Sequence, residues 1–217
     1  MLMASAPLYI FDIDGTLTDS IPTYLKVITQ ILKDIGLKDI DTDYDNYIHH
    51  TDLYALEYNY ERNFGKKPPS NLKYELDELL VQGLLNEPPV TEIPGARDTL
   101  IALQKKGIPF AYGTGALPKA TAVKMNQTQM PFIEEVLATS VNSISRVGFV
   151  KEAIEKSKSY YKKDSFSRII TVGDGVWDLK AAQELQLDFI GVGLKNKEAM
   201  LDLGCKVWVE DLRHFPI

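Results

Sequence analysis

The stretch that decides the fold is Leu8-Tyr9-Ile10-Phe11-Asp12-Ile13-Asp14-Gly15-Thr16, in which four β-prone apolar residues run directly into two carboxylates and a glycine. A short continuous apolar run bounded by a turn signal suits a strand buried on both faces. Residues two apart in an extended strand point the same way, so Asp12 and Asp14 leave the carboxyl edge of the sheet together. That edge is where open α/β sheets bind ligands. A carboxylate pair there can hold a cation and divide nucleophilic and acid/base work, and Gly15 lets the chain turn away. Taken alone, the string also fits a polar strand end followed by a turn.

Working outward, further apolar runs at 108–112, 136–138, 169–172, 189–192 and 207–209 read as strands. Helical patterns separate most of them. Pro94-Gly95-Ala96-Arg97 opens one that closes at Gly107, Pro118 opens a second, and residues 147–161 and 178–185 carry two more. This alternation predicts an α/β fold, a three-layer Rossmann-like core with a parallel sheet covered on both faces. Residues 20–88 interrupt it. Ile21, Tyr24, Leu25, Ile28, Ile31, Leu32 and Ile35 recur at helical spacing between Pro22 and Gly36, and further helices are expected over 52–64 and 70–85. The expected division is a core of residues 1–19 and 89–217 carrying an inserted all-helical cap of residues 20–88.

A chain of 217 residues with 45% hydrophobic and 25% charged residues is long and apolar enough for one folded core with an insert. Its net charge of −6 disfavours an extended nucleic-acid or acidic-membrane surface and directs attention to a small-molecule partner. The apolar opening over residues 1–11 lacks a basic leader and a small-residue cleavage site, so it reads as a first strand and not as a signal peptide. No uncharged stretch approaches the roughly 20 residues needed to span a bilayer. The single Cys205 cannot form an intrachain disulfide, which points to a reducing, cytoplasmic setting and a buried structural thiol. Oligomeric state is left open.

Two further strand ends carry chemistry. Phe110-Ala111-Tyr112-Gly113-Thr114-Gly115 ends in a hydroxyl between glycines, where Thr114 and nearby backbone N–H groups can meet a phosphoryl oxygen; a glycine-rich turn explains the same residues. Ile169 through Asp178 reads I-I-T-V-G-D-G-V-W-D and again delivers acids to a carboxyl edge. Asp174 can complete an oxygen-rich Mg²⁺ site with Asp12, and Asp178 can orient ligands from behind or serve as a helix N-cap.

Together these three elements resemble the haloacid dehalogenase superfamily, with its D-x-D-G-T-L first motif, strand-terminal Thr and G-D-x-x-x-D last motif in the same order. The Pro94-Gly95-Ala96-Arg97 opening after a helical insert is similar to the phosphoglycolate-phosphatase-like branch. The superfamily's fourth element is a Lys or Arg at the start of the helix before the last motif. Arg146, in Ser145-Arg146-Val147-Gly148-Phe149-Val150, is taken as that cation because a first-turn residue can face the sheet edge and bind phosphate bidentately; Lys151 is the alternative.

The resemblance implies a Mg²⁺-dependent phosphatase acting on a small phosphorylated metabolite. Asp12 would attack phosphorus, Asp14 would protonate the leaving oxygen and later activate water, and Thr114, Gly115 and Arg146 would hold the transferring group. Asp12, the Asp14 carbonyl and Asp174 would bind the metal. An acid at position 14 argues against dehalogenase or phosphonate chemistry. A sugar phosphomutase is the nearest rival, and that branch carries a His where this sequence has Tyr24. A phosphoacceptor module or a non-catalytic phosphate-binding module are readings from another class, disfavoured by the first-strand Asp12 and by the full set of polar groups. Within the insert, His49, His50 and Asp52 are candidate specificity residues, with a capped helix start at Thr51 or Asp52 as the plainer reading. Tyr54, Tyr58 and Tyr60 read as packing residues.

Overall fold

The computed structural model describes residues 6–217. The first strand, expected within the apolar opening, is β1 (Leu8–Phe11); residues 1–5 of that opening lie outside the described residues. All four β1 residues are buried, as a strand covered on both faces requires. It pairs in parallel with β4 (Phe110–Gly113) on one side and β6 (Ile169–Gly173) on the other, Tyr9 lying opposite both Phe110 and Ile170. The outer strands are β5 (Leu137–Ala138), β7 (Asp188–Val192) and β8 (Trp208–Val209), giving a six-stranded parallel sheet in the order β5-β4-β1-β6-β7-β8. Helices α4 (Ala96–Lys105), α5 (Pro118–Gln127), α6 (Arg146–Tyr161), α7 (Val176–Glu184) and α8 (Lys197–Asp202) connect the strands and flank the sheet. The chain moves from β1 outward to β4 and β5, then crosses back to β6. The reversal opens a crevice at the carboxyl ends of β1 and β6.

Several boundaries differ from the sequence reading, three of them for evident local reasons. Ile108 is not in the sheet because its N–H donates to Leu103 at the end of α4, and Pro109 has no N–H to offer. Val136 lies in a 3₁₀ turn, with its N–H bonded to Ile133, so β5 holds only two residues. Helix α7 starts at Val176, before Asp178, because the Asp178 carboxylate reaches back to accept the Gly175 N–H at 3.0 Å.

Two strands unseen in the sequence, β2 (Thr18–Asp19) and β3 (Thr91–Glu92), pair antiparallel and bring the two ends of the insert side by side. Between them run α1 (Ile21–Asp34), α2 (Asp52–Phe64) and α3 (Ser70–Leu85). Ile28, Leu32, Leu56, Leu80 and Leu84 form a hydrophobic cluster of their own, into which Leu117 and Ala120 project from the start of α5. Carboxylates from the insert cap that helix: Asp52 accepts the Leu117 N–H at 2.8 Å, and Asp77 accepts those of Lys119 and Ala120 at 3.1 and 3.0 Å. These donors are among those a helix cannot satisfy internally, and the negative charges suit its positive end. Cys205 is a buried thiol packed with Met200 and Phe189. Among the described residues no helix is long and apolar enough to cross a membrane.

Candidate active site

Asp12 follows β1 directly, and its N–H donates to Val172 of β6 at 2.8 Å, which fixes its backbone at the crevice. The turn beyond it needs glycine at position 15: φ is +84°, and a Cβ would stand 2.5 Å from the Asp174 carboxylate. Thr16 donates its hydroxyl to Asp174 Oδ1 at 3.3 Å. Arg146 is the first residue of α6, whose N-cap Ser145 accepts the Gly148 N–H at 3.1 Å. Its Nη1 lies 2.9 Å from Asp12 Oδ1 and 2.5 Å from Asp178 Oδ1.

Carboxylate oxygens of Asp12, Asp174 and Asp178 lie within 4.8 Å of one another. Burial pushes Asp12 up to about 7, with Arg146 opposing the rise and Asp178 and Asp14 adding to it. Burial, then the charges of Asp12 and Asp178, holds Asp174 well above the usual carboxylate range. Asp178 is also raised by burial, against the pull of Arg146. One guanidinium cannot neutralise three buried carboxylates, and a hard divalent cation on oxygen donors would relieve the remaining charge. The cluster therefore fits a divalent metal ion. Both Asp178 oxygens are engaged, by Arg146 and by the Gly175 N–H, so its geometry suits orienting Arg146.

The Asp14 side chain lines the same cavity but is held by a different cation. Both its oxygens accept from Lys124 Nζ at 2.6 Å, and Oδ1 also accepts from the Ser20 hydroxyl. Ser20 stands at the N-cap position of α1 yet makes no capping bond. Lys124 is 1% exposed, whereas the Asp14 side chain is 21% exposed, so removing Asp14 would strand a buried ammonium at a cost of about 3–5 kcal/mol.

Thr114 is buried at the end of β4, its N–H bonded to Ala138 and its hydroxyl accepting the Ala116 N–H. Gly115 has a steric reason to be glycine, since a Cβ there would lie 2.3 Å from the His50 carbonyl oxygen and 3.2 Å from Thr51 Cα. The insert touches down at this loop: the Asp52 N–H donates to Gly115 O at 3.0 Å, and the His50 ring stacks on Trp177 with centroids 3.8 Å apart. Burial raises Asp52 to about 7, opposed by Lys124. A cavity of ≈ 300 Å³ lies between core and insert, lined by Asp12, Asp14, Thr114, Gly115, Arg146 and Asp174 below and by Tyr24, Tyr44, His50 and Asp52 above.

The sequence-derived site residues are thus mostly gathered at one cavity. Asp178 stands behind Arg146. His49 does not line the cavity; its ring packs edge-on against Tyr54 at 5.2 Å within the insert. Lys151 is exposed on α6 and is not among the lining residues. Tyr54 and Tyr58 stack on each other beside Tyr47 and are not among the lining residues. Sequence reasoning passed over Lys124, Ser20, Trp177 and Asn196, whose side-chain amide donates to the Asp174 carbonyl at 2.9 Å. Lys124 did carry a signal. It lies four residues after Ala120 and three after Thr121, on the buried stripe of α5, where a cation needs a partner.

A parallel Rossmann-like sheet that delivers a metal-fitting acidic cluster and a buried guanidinium to its carboxyl edge defines an α/β enzyme. The family is settled by sequence: residues 7–186 match the model of the haloacid dehalogenase-like hydrolases, and the chain belongs to that family. No curated protein matches the chain. Among solved structures, the fold is similar to a family IA, variant 3 HAD hydrolase from Entamoeba histolytica, with 18% identity, 98% of this chain and 96% of that one covered, and a TM-score of 0.73. It is also similar to CbbY from Rhodobacter sphaeroides solved with phosphate, at 14% identity, 97% and 96% coverage and a TM-score of 0.70. A mutant of CbbY, solved with xylulose-(1,5)bisphosphate, gives 15% identity, 97% and 96% coverage and a TM-score of 0.71.

Proposed function

We propose that this chain is a Mg²⁺-dependent phosphatase that hydrolyses a small phosphorylated metabolite through an aspartyl-phosphate on Asp12. The observation that carries the reading is the convergence of Asp12, Arg146 and Asp174 on one cavity of ≈ 300 Å³ with Thr114 at its base. Asp12 is the nucleophile, forming a bond to phosphorus as the ester P–O bond breaks. Asp14 gives its proton to the departing oxygen, then takes one from the water that displaces Asp12 and releases inorganic phosphate. Arg146 and the Thr114–Gly115 loop hold the transferring group as charge spreads over its oxygens. Asp12, the Asp14 carbonyl and Asp174 would hold Mg²⁺, which supplies the positive charge that lets a carboxylate approach a phosphate dianion.

Residues 20–88 act as a cap over the core of 1–19 and 89–217, and His50, Asp52 and Tyr24 select the leaving group. CbbY's crystallisation with phosphate and with a sugar bisphosphate supports a phosphorylated carbohydrate-sized substrate for a site of this kind. Tyr24 lines the cavity where the mutase branch carries an imidazole, and this favours hydrolysis over phosphoryl shuttling. The test is steady-state release of phosphate from an aryl phosphate with Mg²⁺, with excess EDTA and in Asp12→Asn. Wild-type turnover should vanish with EDTA and return with Mg²⁺, and Asp12→Asn should be inactive while keeping the wild-type circular dichroism. Turnover by Asp12→Asn at the wild-type rate would sink the reading.

A further inference from the structure

We propose that Lys124 is a positioning residue for the reaction, holding the carboxyl group of Asp14 in the one orientation from which it exchanges a proton with the leaving group. The proposal rests on the phosphatase reading above.

Its basis is geometric. A lysine 1% exposed, rooted on the buried stripe of α5, directs its ammonium donors at the two oxygens of one carboxylate, each at 2.6 Å. Asp14 follows β1 on a turn with no regular ladder of its own, and its other side-chain contact is the Ser20 hydroxyl. A carboxylate on such a turn has rotamers to choose among; contact of both its oxygens with one buried cation favours a single one. Thr18 and Ser20 complete the cradle, their hydroxyls 2.8 Å apart and Thr18 also bonded to Ile13 O at 3.2 Å.

The same lysine ties the insert to this arrangement. Asp52, docked on Gly115 and Leu117 by its N–H and its carboxylate, lies within the electrostatic reach of both Lys124 and Asp14. Helix α5 therefore carries three things at once: the N-terminus that the insert caps, the apolar residues the insert covers, and the cation that sets Asp14. An insert seated on α5 thus bears directly on where the acid stands. This role is separate from that of Arg146, which contacts Asp12 and Asp178.

The test is the dependence of kcat/KM on leaving-group acidity, measured with Mg²⁺ over substituted phenyl phosphates from 4-nitrophenyl to unsubstituted phenyl. A basic leaving oxygen needs its proton in the transition state far more than nitrophenolate does. Lys124→Met should lose at least about tenfold more on phenyl phosphate than on 4-nitrophenyl phosphate, steepening the plot as Asp14→Asn does. Equal losses across the series would overturn the proposal, because a merely structural lysine scales every substrate alike. Should Lys124→Met fail to fold, the double variant Lys124→Met/Asp14→Asn, which removes both charges, is compared with Asp14→Asn alone. Matching rates mean that Lys124 acts through Asp14; a further tenfold loss in the double variant overturns the proposal. A wild-type protein inert toward the whole series would instead defeat the phosphatase reading, and this inference with it.

Discussion

At the scale of single residues, the site is an excess of buried negative charge balanced by two cations with separate duties. Arg146 meets Asp12 and Asp178, and Lys124 meets Asp14. On the proposed function Arg146 would hold the transferring oxygens and matter most in the transition state, so Arg146→Ala should lower kcat/KM for an aryl phosphate by roughly 10²-fold or more. Lys151→Ala should change it by less than about twofold, since an exposed lysine on the same helix contributes little to an enclosed site. Steady-state kinetics on both variants decide the matter, and the opposite ranking would transfer the phosphate-binding role to Lys151.

At the scale of elements, the meeting of insert and core depends on backbone approach as much as on side chains. Gly115 sits so close to the 50–51 segment that any Cβ must push it away, and that segment carries His50 onto Trp177 and Asp52 onto Leu117. Gly115→Ala should therefore loosen the insert without touching Asp12, Asp174 or Asp178: amide hydrogen exchange at Asp52 and Leu117 should accelerate, and KM should rise more than kcat falls. Wild-type exchange at both amides would show that the contact yields without consequence. The two-residue β2–β3 ribbon lies at the root of the insert, so movement of the helices above it would leave the turn that carries Asp14 anchored through the Gly15 N–H to Thr18 O.

For the whole molecule, the buried acids predict an unusual dependence of stability on pH. Asp12 and Asp52 are both raised by burial from 3.8 to about 7, so between those limits the folded chain binds more protons than the unfolded one. Their contribution is complete below the unfolded value and is lost as pH rises through about 7. Asp41, lowered chiefly by the Asp43 N–H, and Asp211, lowered chiefly by Arg213, act in the opposite sense, but only near and below the ordinary aspartate range. The Tm of metal-free protein should therefore fall as pH is raised from about 5 to about 8, and Mg²⁺ should raise Tm more at the upper end, where it meets no competition from protons. Scanning calorimetry with and without the ion checks both trends. A metal-free Tm that climbs across this interval would contradict them.

By itself the sequence determined the core of this protein. Apolar runs at strand length alternating with helical patterns specify a parallel sheet, and acids placed just after β1 and β6 must emerge at its carboxyl edge, because strand direction and side-chain alternation leave them nowhere else. The α1 stripe of the insert was legible for the same reason: local periodicity encodes which face is buried. Tertiary structure alone decided which charge meets which. Lys124 and Asp14 are 110 residues apart, Arg146 and Asp12 are 134 apart, and the β2–β3 pairing joins segments too short to show a period. Helical spacing puts Lys124 on the buried stripe of α5, but nothing local names the carboxylate it meets. That partner is set only when α5 packs between the sheet edge and the insert and excludes water from the lysine.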